Sequence, residues 1–136
     1  MKHFLLDTNI LVRFLVQDDP KQSAAAAKLI GEAQSGDTLL ILDRMVVTEL
    51  VYVLMGHYKR TRIDVGNTIL AIVQSPFVRA DDESLLIGAL LRFRDNGVDF
   101  VDAWLASKGA AEGMPVASFD RDLDKFKDVT RHEPKA

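Results

Sequence analysis

Short unbroken apolar runs alternate along this chain with longer segments whose apolar residues recur at helical spacing, and that alternation limits the fold most. The runs are Phe4-Leu5-Leu6, Leu39–Leu42, the weaker Phe77-Val78, Pro115–Ser118 and a last one near Asp128–Thr130. Runs this continuous suit strands covered on both faces, as in a parallel sheet, rather than strands wetted on one side. Helices are predicted between them. They cover Ile10–Val16, Pro20 to about Ser35-Gly36, Asp43 to about Met55-Gly56, and Thr61 to Ser75-Pro76, where Thr61 and Asp64 form a capping box. Three more follow: Asp81-Asp82-Glu83 to Arg94 with an Asn96-Gly97 stop, Phe100–Glu112 ended by Gly113, and a short one over Arg121–Phe126. The expected fold is a three-layer α/β/α sandwich around a central, mainly parallel sheet of four or five strands. There is no repeat, linker or low-complexity stretch, so residues 1–132 are expected as one domain and 133–136 as a short tail.

Composition removes several kinds of chemistry. With no cysteine there is no thiolate nucleophile, disulfide framework or thiolate zinc site, and His3, His57 and His132 have no ligand spacing. No apolar run approaches a membrane span, and Asp7 breaks the first run too early for a signal peptide, so a cytoplasmic protein is expected. The formal charge of −3 gives no bulk attraction to nucleic acid. The acids are lopsided, fifteen Asp against five Glu. Because Glu is the better helix former, that excess suggests caps, turns or metal ligands.

Five of the acids stand out by position. In an open parallel sheet, ligands bind beyond the carboxyl ends of the strands. Asp7 directly follows the first strand and Asp120 lies two residues beyond the fourth, so both are expected at one sheet edge. Glu49 falls among Met45, Val46, Tyr52 and Val53 on a predicted helix, where an ionised carboxylate is costly unless paired or ligating a metal; the same spacing suits, and more often means, a Glu at the helix rim or one paired to a core-edge Arg. Asp99 and Asp102 stand three apart at a helix start, which is also what local capping would look like. Converging carboxylates need a counter-charge, and an all-oxygen set without His or Cys selects a hard divalent ion, Mg²⁺ or Mn²⁺.

The order Phe-Leu-Leu-Asp7-Thr8-Asn9, Thr48-Glu49-Leu50, Asp99-x-x-Asp102-Ala103-x-Leu105-Ala106 and Ser118-Phe119-Asp120-Arg121-Asp122 resembles the PIN-domain family. Within it the chain is most similar to the VapC-type toxins of type II toxin–antitoxin (VapBC) pairs, over essentially its whole length. The resemblance implies a Mg²⁺- or Mn²⁺-dependent ribonuclease whose acidic quartet is Asp7, Glu49, Asp102 and Asp120. It places Asp99 and Asp122 as auxiliary acids, with Thr8, Asn9 and Ser118 as polar neighbours that orient a carboxylate or water. It also implies a VapB-like antitoxin that blocks the site, and a homodimer.

One or two ions would reverse the field that an incoming phosphodiester meets, and would supply hydroxide from a bound water. Candidate phosphate contacts are Arg13, the tract Lys59-Arg60-x-Arg62, and Arg121, all of which equally suit ordinary solvated charge. Tyr52 and Trp104 are expected to pack in the core. Alternative readings are a non-catalytic PIN-like RNA- or protein-binding module and a Mg²⁺-binding phosphoacceptor receiver domain. The receiver wants paired acids after the first strand, where this chain has a single Asp7. A haloacid-dehalogenase-like phosphatase wants Asp-x-Asp, where this chain has Asp7-Thr8-Asn9. Setting the quartet aside as ligands leaves 17 basic against 16 acidic side chains, so RNA affinity is expected to depend on the metal.

Overall fold

A computed structural model describes residues 1–136. Strand β1 (Lys2–Leu5) leads to α1 (Thr8–Val16) and α2 (Pro20–Gln34), then to β2 (Thr38–Leu42), α3 (Arg44–Tyr52) and α4 (Arg62–Val73). Next come β3 (Val78–Ala80), α5 (Glu83–Asn96), α6 (Phe100–Glu112), β4 (Val116–Ala117) and β5 (Arg131–His132). A π-helical turn over Val53–His57 prolongs α3, and a 3-10 turn over Arg121–Lys125 separates the last two strands. The layers are α/β/α and every strand pairing is parallel. No helix is long and apolar enough to cross a membrane.

The five strands are divided between two sheets, β1-β2-β3 and β4-β5, rather than joined in one. Backbone donors explain the division. Val116 and Ser118 donate their N–H groups to Thr130 and His132, so alternation along the strand turns Pro115 and Ala117 toward the opposite side. Pro115 has no N–H to offer there, and β4 is only two residues long. Strand β1 meanwhile donates from Lys2 and Leu6 to Asp37 and Ile41 on the β2 side, which leaves His3 and Leu5 facing outward. Phe4 and Leu5 are accordingly 43% and 80% exposed. The last strand forms at Arg131–His132, later than the sequence pattern suggests, because Val129 N–H turns back to the Phe126 carbonyl.

The core follows the helical period. Val47, Leu50, Val51 and Leu54 form the inner stripe of α3 and its π-helical extension, and Leu86, Ala89, Leu90 and Phe93 form that of α5. Each such Leu or Phe side chain, fully removed from water, contributes about 1.5–3 kcal/mol. In the sheet, Leu40 is fully buried between Phe4 on β1 and Val78 on β3. Glycines allow two close helix approaches: a Cβ at Gly88 of α5 would lie 2.7 Å from Ser107 Oγ of α6, and one at Gly66 of α4 would lie 2.8 Å from Arg94 Cβ.

Candidate active site

Helix starts distinguish acids that serve the backbone from acids that do not. Asp19 accepts from Gln22 N–H at 3.1 Å, Asp43 from Met45 N–H at 2.8 Å, and Thr61 from Asp64 N–H at 3.2 Å, as N-caps do. Asp7, Asp82 and Asp99 occupy the same position before α1, α5 and α6, yet none uses its side chain as a cap. Arg44 donates to the Asp82 carboxylate at 2.6 Å, and the Tyr52 hydroxyl donates to Asp99 at 3.0 Å. Asp7 has neither a hydrogen-bond donor nor a cation on its carboxylate, and its backbone is extended (φ −86°, ψ 148°) where β1 runs out of the sheet.

The second concentration of acids lies where the N-terminus of α6 meets the 3-10 turn. Asp102, in the first turn of α6, is half-buried. Its carboxyl is pushed above the usual aspartate range, first by burial and then by the Asp120 carboxylate within hydrogen-bonding reach, with Asp99 and Asp122 adding like charge. Asp120 is held from two sides: its N–H donates to Ser118 Oγ at 3.0 Å, and its carboxylate accepts from Asp122 N–H at 2.9 Å. The polar neighbour Ser118 therefore orients the backbone of an acid directly. Burial, then the Asp99 carboxylate, raises the Tyr52 phenol above its ordinary value. That hydroxyl joins α3 to the start of α6.

Glu49 sits at the solvent-facing rim of its helix. The chain from Met45 to Met55 carries two apolar stripes, and the one that packs inward is Val47, Leu50, Val51 and Leu54. Glu49 belongs to the other stripe and is exposed. It lines an open groove of about 600 Å³ with Met45, Thr48, Tyr52, Val53 and His57. No three acids or histidines approach closely enough to form a metal site. Thr8 is buried at the start of α1, and Asn9 is exposed beside it.

A divalent cation suits these donors in chemistry. None of Asp7, Glu49, Asp102 and Asp120 has a Lys or Arg within ion-pairing distance, whereas Asp18, Asp95, Asp124 and Asp128 each do. The raised Asp102 carboxyl beside Asp120 is a pair that favours sharing a positive charge, a proton or a metal ion. All the donor atoms are hard oxygens.

Residues 4–129 match the PIN domain family. The chain belongs to the PIN-domain family. It is also 26% identical over 132 residues, 95% of its own length and 97% of the relative's, to the VapC ribonuclease of Aquifex aeolicus (strain VF5).

In this PIN domain the candidate phosphate contacts have different surroundings. Arg13 is engaged by Asp18 at 2.6 Å and Gln22 at 2.9 Å, and Arg60 by Asp64 at 3.3 Å. Arg62 turns inward to two backbone carbonyls. Lys59, with a left-handed backbone (φ 56°), and Arg121, beside Asp120, are exposed and make no ion pair. Two residues go beyond the sequence expectation. Tyr52 is not in the core but 44% exposed and bonded to Asp99; its spacing of three from Glu49 was the available signal. Arg44 lies 5.4 Å from the centre of the half-buried Trp104 ring while paired to Asp82, a contact that no local pattern announces.

Proposed function

We propose that this protein is a metal-dependent endoribonuclease, the toxin of a VapBC-type toxin–antitoxin pair, that hydrolyses RNA phosphodiester bonds at an acidic Mg²⁺ or Mn²⁺ site. The observation that carries this reading is the unpaired acid set of a PIN domain similar over nearly its whole length to a VapC ribonuclease. Asp102 and Asp120 are the primary cation-holding pair, with Asp7 and Glu49 completing the quartet, and Asp99 and Asp122 assisting. Asp7 and Asp120 both follow parallel strands, so pairing of β4 with the free edge of β1 would bring them to the same end of one sheet. A bound divalent cation supplies positive charge for the scissile phosphate and acidifies water. Ser118 holds Asp120 in place, Tyr52 keeps Asp99 from swinging toward the α6 N–H groups, and Arg121 and Lys59 are the cations free to meet phosphate. The same reading gives a cytoplasmic homodimer of single PIN domains (residues 1–132), held inactive by a VapB-like antitoxin.

Incubation of the purified protein with structured RNAs, with and without Mg²⁺ or Mn²⁺, beside Asp7→Asn and Asp102→Asn, tests this reading. Metal-dependent cleavage lost in both variants is the expected result, and equal cleavage by all three proteins would refute it. One observation favours a second reading, a PIN-like module that binds RNA or protein without cutting: no three acids converge. RNA binding without metal-dependent cleavage would select it.

A further inference from the structure

Arg62 falls in the basic tract that the sequence offers to RNA, but its guanidinium has no acidic partner and points into the fold. Its Nη1 donates to the Phe93 carbonyl at 3.0 Å and to the Val98 carbonyl at 2.6 Å, and its guanidinium carbon lies 4.5 Å from the Phe93 ring centre. Phe93 is the fourth-last residue of α5, where carbonyls lack a helical partner. Gly97 follows in a left-handed conformation (φ 68°), and Val98 is the residue before Asp99. One guanidinium therefore ties the end of α5 to the loop that starts α6. From the other side, Lys125 Nζ lies 3.4 Å from the Asn96 carbonyl and 3.6 Å from Asp122 Oδ1. Both cations lie at the negative end of the α5 dipole. Gly66, one turn along α4 from Arg62, permits the approach, since a Cβ there would lie 2.8 Å from Arg94 Cβ.

We propose that Arg62 is a positioning residue rather than an RNA ligand. With Lys125 opposite, it fixes the turn over residues 97–99 and hence the direction in which Asp99 and Asp102 leave the start of α6. Its catalytic consequence rests on the nuclease reading above; its structural part does not.

The test uses the full chain with Arg62→Met, which keeps the apolar contact with Phe93, and Arg62→Lys, which keeps one donor. Amide hydrogen exchange of residues 103–105, the first bonded amides of α6, beginning with Ala103 N–H on the Asp99 carbonyl at 2.9 Å, is compared with that of α2, and RNA cleavage is resolved into kcat and KM. In Arg62→Met, exchange at residues 103–105 is expected to quicken at least about tenfold with α2 unchanged. Its kcat is expected to fall about tenfold at an unaltered KM, with partial recovery in Arg62→Lys. Exchange equal to wild type would overturn the proposal, as would a raised KM with unchanged kcat and a shallower salt dependence, the mark of a phosphate contact. Should Arg62→Met lose its cooperative melt, exchange in Arg62→Lys decides alone: faster at residues 103–105 upholds the proposal, and equal to wild type overturns it. If the wild type cleaves no RNA, the nuclease reading fails while the exchange comparison still decides the role of Arg62.

Discussion

Helix α6 carries Asp102 and packs along α5, and the approach of Ser107 to Gly88 is a close contact whose energetics can be tested with two substitutions. A Cβ added at Gly88 would stand 2.7 Å from Ser107 Oγ and 3.8 Å from Ser107 Cβ, so the hydroxyl alone creates the conflict. That hydroxyl is buried and donates to the Leu85 carbonyl at 2.9 Å. Gly88→Ala gains about 1 kcal/mol of helix propensity. It forces the hydroxyl out of its bond, which costs about 1 kcal/mol for the bond and about 1–2 kcal/mol for leaving the group buried and unsatisfied. The net expectation is a loss of about 1–2 kcal/mol. Ser107→Ala alone removes the donor, while the Leu85 carbonyl sits within the α5 ladder, so its change should stay within about 0.5 kcal/mol. In the double variant two methyl groups meet at an ordinary distance and the propensity gain survives. It should therefore match or exceed the wild type, giving a coupling of about 2 kcal/mol. Urea unfolding of the four proteins, with slopes compared to confirm a common unfolded state, measures the cycle. Additive effects, or a Gly88→Ala variant as stable as the wild type, would refute the reasoning.

Three other outcomes are expected. Asp128, paired through two bonds to Arg92, has its carboxyl held below the usual range by that guanidinium. Its contribution is therefore present above the ordinary aspartate pKa and lost as pH falls through the depressed value, and Arg92→Met should flatten the acid limb of a stability-versus-pH curve. Asp102 has the opposite sign: because its folded-state value is raised, metal-free stability should decline as pH rises from the ordinary aspartate range through that value. Asp102→Asn should remove this decline in thermal melts recorded with chelator. Leu90→Ala, at a fully buried position of α5, should cost about 2–5 kcal/mol in the same urea assay, and a loss under 1 kcal/mol would deny Leu90 its place in the core.

Local signals in the sequence explain what was legible in it. The Thr61 to Asp64 cap, the Gly97 stop and the span Phe100–Glu112 depend on neighbours a few residues away, and they occur as the pattern predicts. The inner stripe of α3 was ambiguous because both of its faces are apolar, so only tertiary packing could decide that Glu49 faces solvent. Separation of β4 from β1 was also hidden, since it turns on which side of a two-residue strand Pro115 presents. Asp99 looked like an ordinary cap, and only the folded chain reveals that neither its side chain nor that of Asp7 caps a helix. The inward turn of Arg62 depends on carbonyls more than thirty residues away, beyond the reach of any local pattern.

Division of the strands between two sheets has a consequence for how the molecule opens. Residues beyond α6 are fastened to the rest by Val116, Leu123 and Phe126 in the core, by the Arg92–Asp128 pair and by Lys125 on the Asn96 carbonyl, with no backbone ladder to β1. Such a segment can detach as its own cooperative unit, at a lower free energy than global unfolding. Asp120 travels with that unit, while Asp7 and Asp102 stay with the main body. Asp120 thus stands beside Asp102 only while that unit is docked, and a substitution that leaves the melting temperature unchanged can still alter the docked fraction.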